Sequence, residues 1–149
     1  MDLFTLFYSW LVGWYGTDLD DFLSNPDEGM NYLIIGSVTI VISALIGALY
    51  YKILDKPRWA HWYCWVIALV INAFINFWWG WQPVLQNLYD GDMDVMNQQT
   101  GQMVTYVTEN NCLMFGFANA IMATLIFIVL SFAIFRFIST NCKYSPLCK

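Results

Sequence analysis

Charged residues are scarce in this chain of 149 residues: they make up 11% of it, whereas 59% of its residues are hydrophobic. Ordinary soluble domains carry about 25% charged residues. So little charge excludes an ordinary soluble domain and indicates an integral membrane protein. At about 20 residues per span, the length allows three or four spans and no separate soluble domain. We therefore predict a single membrane domain over residues 1–149.

Side chains that commonly carry chemistry are also few. The chain has one histidine and four cysteines, and these show neither a C-x-x-C pair nor another metal-ligand spacing. No G-x-S-x-G motif and no histidine–carboxylate pair within an apolar stretch occurs. We therefore predict a protein that is not an enzyme and has no cofactor, no metal site and no small-molecule substrate. The net charge of −5 argues against nucleic acid as a partner.

What the chain does have is long apolar stretches. We predict an all-α fold, a bundle of three transmembrane helices over residues 32–54, 60–80 and 112–138. Tryptophan prefers the boundary between membrane and water, and both ends of the second stretch carry it. We predict an interfacial belt formed by Trp59, Trp62, Trp78, Trp79 and Trp81.

The segments outside these stretches are short. Residues 2–15 are predicted to form an amphipathic helix that either lies on the bilayer surface or packs half-buried against the spans. Residues 16–31 are predicted to be an exposed loop, and 81–111 a second, acidic one. Within the latter, residues 102–108 fit a short strand or an outward continuation of the third helix. Residues 139–149 form a basic tail.

The charges sort by position along the chain. All six basic residues lie near residues 52–58 or at the C-terminal end, and of the eleven acidic residues only Asp55 lies among them. The positive-inside rule places the basic side in the cytoplasm. We predict a bacterial inner-membrane protein with a cytoplasmic C-terminus, and with the N-terminus and both acidic loops outside the cytoplasm.

Small residues recur at helical spacing in two of the spans. They form one face of the first span and a broader face of the third, and they are Gly36, Thr39, Ser43, Gly47, Gly116, Ala120 and Ala123. Such faces let helices approach closely in lipid. They predict helix packing, either within one chain or between subunits of an oligomer.

Three amides interrupt the apolar stretches: Asn72, Asn76 and Asn119. Antiparallel spans would place Thr39, Asn76 and Asn119 in the outer third of the membrane, with Asn72 just outside the midplane. An amide without a hydrogen-bond partner is costly in lipid. The three amides therefore either bond to neighbouring helices or line a hydrated lumen.

These patterns favour a non-catalytic membrane subunit, an anchor, accessory or scaffold that packs into a larger homo- or hetero-oligomeric assembly. Its expected partners are the lipid bilayer, further copies of itself and other membrane subunits. The first alternative is a homo-oligomeric pore with Asn72 and Asn76 facing the lumen, and a weaker one is a membrane immunity or inhibitor protein. The acidic stretch Asp90–Asp94 resembles the start of a calcium loop, but Val95 stands where that loop needs glycine.

Overall fold

A computed structural model describes residues 3–25, 31–54, 62–97, 101–135 and 137. The predictions for Trp59, for the tail 139–149 and for its two cysteines, Cys142 and Cys148, lie outside these residues. The elements, in chain order, are α1 (Leu3–Ser9), α2 (Val12–Tyr15), α3 (Thr17–Ser24), α4 (Tyr32–Leu49), α5 (Trp62–Asp90), β1 (Asp94–Met96), β2 (Met103–Thr105) and α6 (Glu109–Leu130). Helix α4 continues as a π-helical segment over Tyr50–Leu54, and α6 continues as another over Ser131–Phe135.

The prediction of a mostly helical chain with three membrane-length helices is confirmed. The helical stretches Tyr32–Lys52, Trp62–Asp90 and Glu109–Phe135 are each long and apolar enough to cross a bilayer.

The second long helix corrects the predicted loop over 81–111. Helix α5 does not end near residue 80 but continues through Pro83 to Asp90. Proline has no N–H and cannot bond to the carbonyl four residues earlier, here that of Trp79. The helix nevertheless continues, and Val84, directly after the proline, is fully buried. Tertiary packing at Val84 thus outweighs the local signal of Pro83.

The N-terminal segment is also different from the prediction of one helix over 2–15. The chain breaks between α1 and α2, where the carbonyl of Tyr8 accepts from the N–H of Leu11 at 2.8 Å and from the hydroxyl of Tyr15 at 3.1 Å. It breaks again at Gly16, whose φ of +95° is a conformation that favours glycine. Helix α3 then occupies part of the region predicted as an exposed loop.

Residues 94–105 contain a small hairpin. Strands β1 and β2 pair antiparallel, with Val95 opposite Val104. The stretch 102–108 is therefore partly a strand rather than an outward continuation of the third span, and α6 begins at Glu109.

The chain divides into two compact units. The first unit comprises Met1–Ser37 and Phe77–Asn119, and the second comprises Val38–Asn76 and Ala120–Lys149. The core of the first unit is rich in tyrosine, and Phe115 lies among Tyr8, Tyr15 and Tyr32 with ring centroids 5.3 to 6.0 Å away. The core of the second unit is formed by Tyr50, Tyr51, Ala68, Phe127 and Phe135.

Candidate functional site

The first unit contains a buried cluster of hydroxyl groups, here called the tyrosine cluster: Tyr8, Tyr15, Tyr32, Asp20 and Asn119. The four side chains other than Asp20 are almost completely buried. Helices α1, α2 and α4 supply the phenols, α3 supplies the carboxylate and α6 supplies the amide. Tyr8 and Tyr15 reach the cluster from two separate short helices, α1 and α2, which are joined by a turn at Trp10 and Leu11.

Hydrogen bonds connect this cluster from end to end. The Tyr32 hydroxyl donates to Asp20 Oδ1 at 2.5 Å and lies 2.7 Å from the Tyr15 hydroxyl. Tyr8 donates to Asn119 Oδ1 at 2.5 Å. A phenol has one proton. Because the Tyr32 proton goes to Asp20, the Tyr15 proton is shared between Tyr32 and the Tyr8 carbonyl. The cluster thus ties the N-terminal helices to α4 and α6.

Burial dominates the electrostatics of Tyr15. Removal from water raises the pKa of the Tyr15 phenol above its ordinary value; the hydrogen bond with Tyr32 lowers it, and the negative charge of Asp20 raises it further. The Tyr15 phenol therefore keeps its proton, and acts as a hydrogen-bond donor, to a higher pH than an ordinary tyrosine does.

The second unit contains a buried amide pair, Asn72 and Asn76, both with no exposed surface. Asn72 Nδ2 donates to the carbonyl of Ala123 at 3.0 Å. Asn76 Nδ2 donates to the backbone carbonyl of Asn72 at 2.9 Å and to its Oδ1 at 3.2 Å. The pair therefore links α5 to α6 through bonds that remain inside the chain.

The structure brings Asn72 and Asn76 together and gives Asn119 a different partner. Asn119 belongs to the first unit and accepts from Tyr8. The sequence indicated that these amides need partners but could not identify them. Tyr8 was missed because a tyrosine in a short amphipathic segment is typical of the membrane boundary.

The predicted small-residue faces are buried inside the chain. Gly36 lies against the ring of Phe4, and Gly47 lies against the ring of Phe135. A Cβ on Gly116 would lie 2.8 Å from Cβ of Trp81. The other members are also covered, since Thr39, Ser43 and Ala123 are fully buried and Ala120 is half-buried. These residues pack helices within one chain.

The predicted aromatic belt is only partly exposed. Trp62 is 69% exposed and Trp78 is 52% exposed. Trp79 and Trp81 are half-buried, and Trp81 lies edge-on to Trp78 with ring centroids 5.5 Å apart.

Acidic residues surround a cavity of about 360 Å³ in the first unit. Its lining includes Asp18, Asp21, Asp92 and Asp94 with the rings of Phe22 and Tyr106. The Thr105 hydroxyl donates to Asp94, so that carboxylate also fixes the hairpin. Among the described residues, no three His, Cys, Asp or Glu side chains are grouped to hold a metal ion. The cavity concentrates negative charge at one surface.

Comparison with known proteins found no family model, no curated protein and no solved structure that matches this chain.

Proposed function

We propose that the chain is an integral membrane protein of the bacterial inner membrane, in which α4, α5 and α6 are the spans. Their length and apolarity support this, as do the large hydrophobic side chains on their exposed surfaces, such as Val41, Phe74 and Val129. Water would not favour so many exposed apolar groups on consecutive helical turns. The charge layout supports a cytoplasmic C-terminus and extracytoplasmic acidic segments.

In the same proposal, α1 and α2 lie at the membrane surface. Trp10, the most exposed large hydrophobic residue of the described chain at 85%, is in this segment, and Leu6, Phe7 and Trp14 are exposed beside it. The opposite side carries Tyr8 and Tyr15, which are held by the tyrosine cluster. A segment with one buried side and one apolar exposed side fits the boundary between lipid and protein.

For its role, we propose a non-catalytic subunit that acts as an anchor, accessory or scaffold in a larger membrane assembly. The observation that carries this proposal is that the amide side chains form their hydrogen bonds within the chain. Asn76 donates to Asn72, Asn72 donates to the carbonyl of Ala123, and Asn119 accepts from Tyr8. Polar groups used in this way stabilise contacts between helices and are not available to move an ion.

The surface that such a subunit offers to its partners differs from the predicted one. Because the small-residue faces are occupied inside the chain, partner helices would contact the large exposed side chains instead. The pore and the immunity-protein alternatives stay predictions. A pore would need exposed amides, whereas Asn72, Asn76 and Asn119 are all fully buried in the described structure.

The mass of the particle extracted in a mild detergent tests the subunit role. A single chain has a mass of 17.3 kDa, and we expect the protein component of the native particle to be a multiple of this mass or to include other membrane proteins. A particle containing one chain alone, from cells that express the protein at its natural level, would contradict the subunit role.

A further inference from the structure

The hairpin of the first unit presents apolar side chains to its surroundings. Val95, Met96, Met103 and Tyr106, here called the hairpin surface, are 54% to 65% exposed. Among the described residues β1 and β2 pair only with each other, so each strand has one edge without a strand partner. Apolar side chains beside open strand edges are typical of a surface that binds another chain.

The two sides of the hairpin differ in what lies next to them. Met96 and Met103 are opposite each other on one side. Side chains alternate along a strand, so Val95 lies on the other side. Val95 and Tyr106 also line the acidic cavity. The hairpin therefore has a side with a methionine pair and a side that borders the carboxylates.

The first unit has no positive charge of its own. Its range Met1–Ser37 contains six acidic residues and its range Phe77–Asn119 contains four, and neither contains a lysine, an arginine or a histidine. The carboxylates of this unit can therefore form no ion pair within it. A positively charged partner relieves their mutual repulsion. The charge thus indicates the chemistry of what covers the hairpin surface.

The same charge argues against two other occupants. The first unit of a second copy would also bring ten acidic residues and no base, and like charges repel. Insertion of the hairpin into lipid would take the neighbouring carboxylates out of water, which is costly. Three of these, Asp18, Asp21 and Asp92, are exposed. A basic polypeptide is the occupant that suits both the apolar and the acidic parts.

We propose that the hairpin surface docks an extended segment of a partner protein in which lysine or arginine alternates with apolar residues. In an extended segment, successive side chains point to opposite sides. Its apolar side chains then pack on Met96 and Met103, and its basic ones reach the carboxylates of the cavity. Pairing with an open strand edge adds main-chain hydrogen bonds. This inference rests on the proposed subunit role, because it names the partner that such a subunit holds.

The binding of three short peptides to the full-length protein in phosphatidylcholine nanodiscs tests the docking surface. One peptide alternates lysine with valine, one glutamate with valine, and one lysine with serine. Fluorescence anisotropy of the labelled peptides, corrected for binding to empty nanodiscs, gives the affinities. We expect the lysine–valine peptide to bind about ten-fold more tightly than either of the others, because it alone suits both the carboxylates and the methionine pair. Its affinity should fall with added salt.

Variants at exposed positions separate charge from apolar contact. Asp21→Asn combined with Asp92→Asn should weaken the lysine–valine peptide about five-fold, because two ion pairs are lost. Glu109→Gln is the matched control and should leave the affinity unchanged, since Glu109 is outside the cavity lining and accepts from Tyr89. Met103→Ser should weaken the peptide about five-fold, whereas Met103→Leu should keep the affinity.

Photocrosslinking identifies what covers the hairpin surface. Benzoylphenylalanine takes the place of Met103, and the protein is irradiated in phosphatidylcholine vesicles with the lysine–valine peptide outside. We expect a crosslink to the peptide. A crosslink to a second copy or to lipid in its place would assign the surface to that occupant and overturn the proposal.

The affinities can also overturn it. Equal binding of the lysine–valine and glutamate–valine peptides would reject the charge argument, and equal binding of the lysine–valine and lysine–serine peptides would reject the hairpin as the docking surface. Absence of peptide binding would reject the docking surface, while a native particle with further chains would keep the subunit role. A native particle that contains one chain alone would reject that role, and the partner with it, even if the peptide binds.

Discussion

Asn72 occupies a central position among the buried polar residues of the second unit. Its Nδ2 donates to Ala123 on α6, and its carbonyl groups accept from Asn76 one turn later. A single residue therefore supports the amide pair and the link between two helices. Ser43 provides a contrast in the same unit, because its hydroxyl is equally buried but has no hydrogen-bond partner among the described residues.

Replacing Asn72 with leucine should destabilise the protein by about 1–3 kcal/mol, because it removes the two bonds of the Asn72 side chain, to Ala123 and from Asn76, and leaves one N–H of the Asn76 amide without its acceptor. The free energy of unfolding in mixed detergent micelles measures this. Ser43→Ala is the matched control and should not lower it, because it removes a buried hydroxyl that has no hydrogen-bond partner among the described residues. If Asn72→Leu and Ser43→Ala lower the free energy of unfolding equally, the hydrogen bonds of the amide make no specific contribution to stability.

Close packing at Gly47 leads to a second prediction at this scale. An added Cβ would overlap the ring of Phe135, which is itself buried. Gly47→Ala should therefore cost about 1–3 kcal/mol of stability. In a Phe135→Leu background the same change should cost much less, because the ring is gone. If the losses of stability from Gly47→Ala and from Phe135→Leu simply add in the double variant, the added Cβ does not contact the ring of Phe135.

At the scale of elements, the tyrosine cluster determines how α1, α2 and α3 are held in the first unit. Its phenols and Asp20 come from separate helices, and Tyr15 contacts two of the other members. Protonation of Tyr15 is therefore coupled to the packing of the N-terminal helices.

The pKa of Tyr15 is raised in the folded protein, mainly by burial. Such a group contributes stability that is fully present below the unfolded pKa of about 10 and is lost as pH rises above it. We expect the wild type to lose stability above about pH 10 more steeply than Tyr15→Phe, by up to about 1.4 kcal/mol per pH unit. Unfolding free energies measured from pH 8 to 11 test this; parallel pH profiles of the two proteins would contradict it.

The elements also show how far the sequence could predict the fold. Continuous apolar runs indicated the three long helices, and helical spacing identified buried positions such as Gly47 and Asn72. The extension of α5 past Pro83 and the helix at 17–24 were not predictable, because burial of Val84 and Leu19 outweighs local turn signals. The tyrosine cluster joins residues up to 111 positions apart, and a single sequence does not reveal such pairs.

At the scale of the whole molecule, the proposed topology predicts where the C-terminal cysteines lie. A thiol reagent that cannot cross the membrane should fail to label Cys142 and Cys148 in sealed cells and should label them after permeabilisation. The variant that combines Cys142→Ser with Cys148→Ser measures the background labelling of the other two cysteines. Of these, Cys64 is half-buried and Cys112 is buried. Labelling of sealed cells that disappears in this variant would reverse the orientation.

The central claim of the account is that the amides of the long helices are bonded within the chain and do not line an ion path. Ion flux across vesicles that contain the purified protein tests it most directly, measured at a series of applied voltages beside protein-free vesicles. We predict no flux above the protein-free level from the wild type, nor from the variant that combines Asn72→Leu with Asn76→Leu. A wild-type flux that disappears in this variant while the assembly persists would contradict the claim and establish the pore.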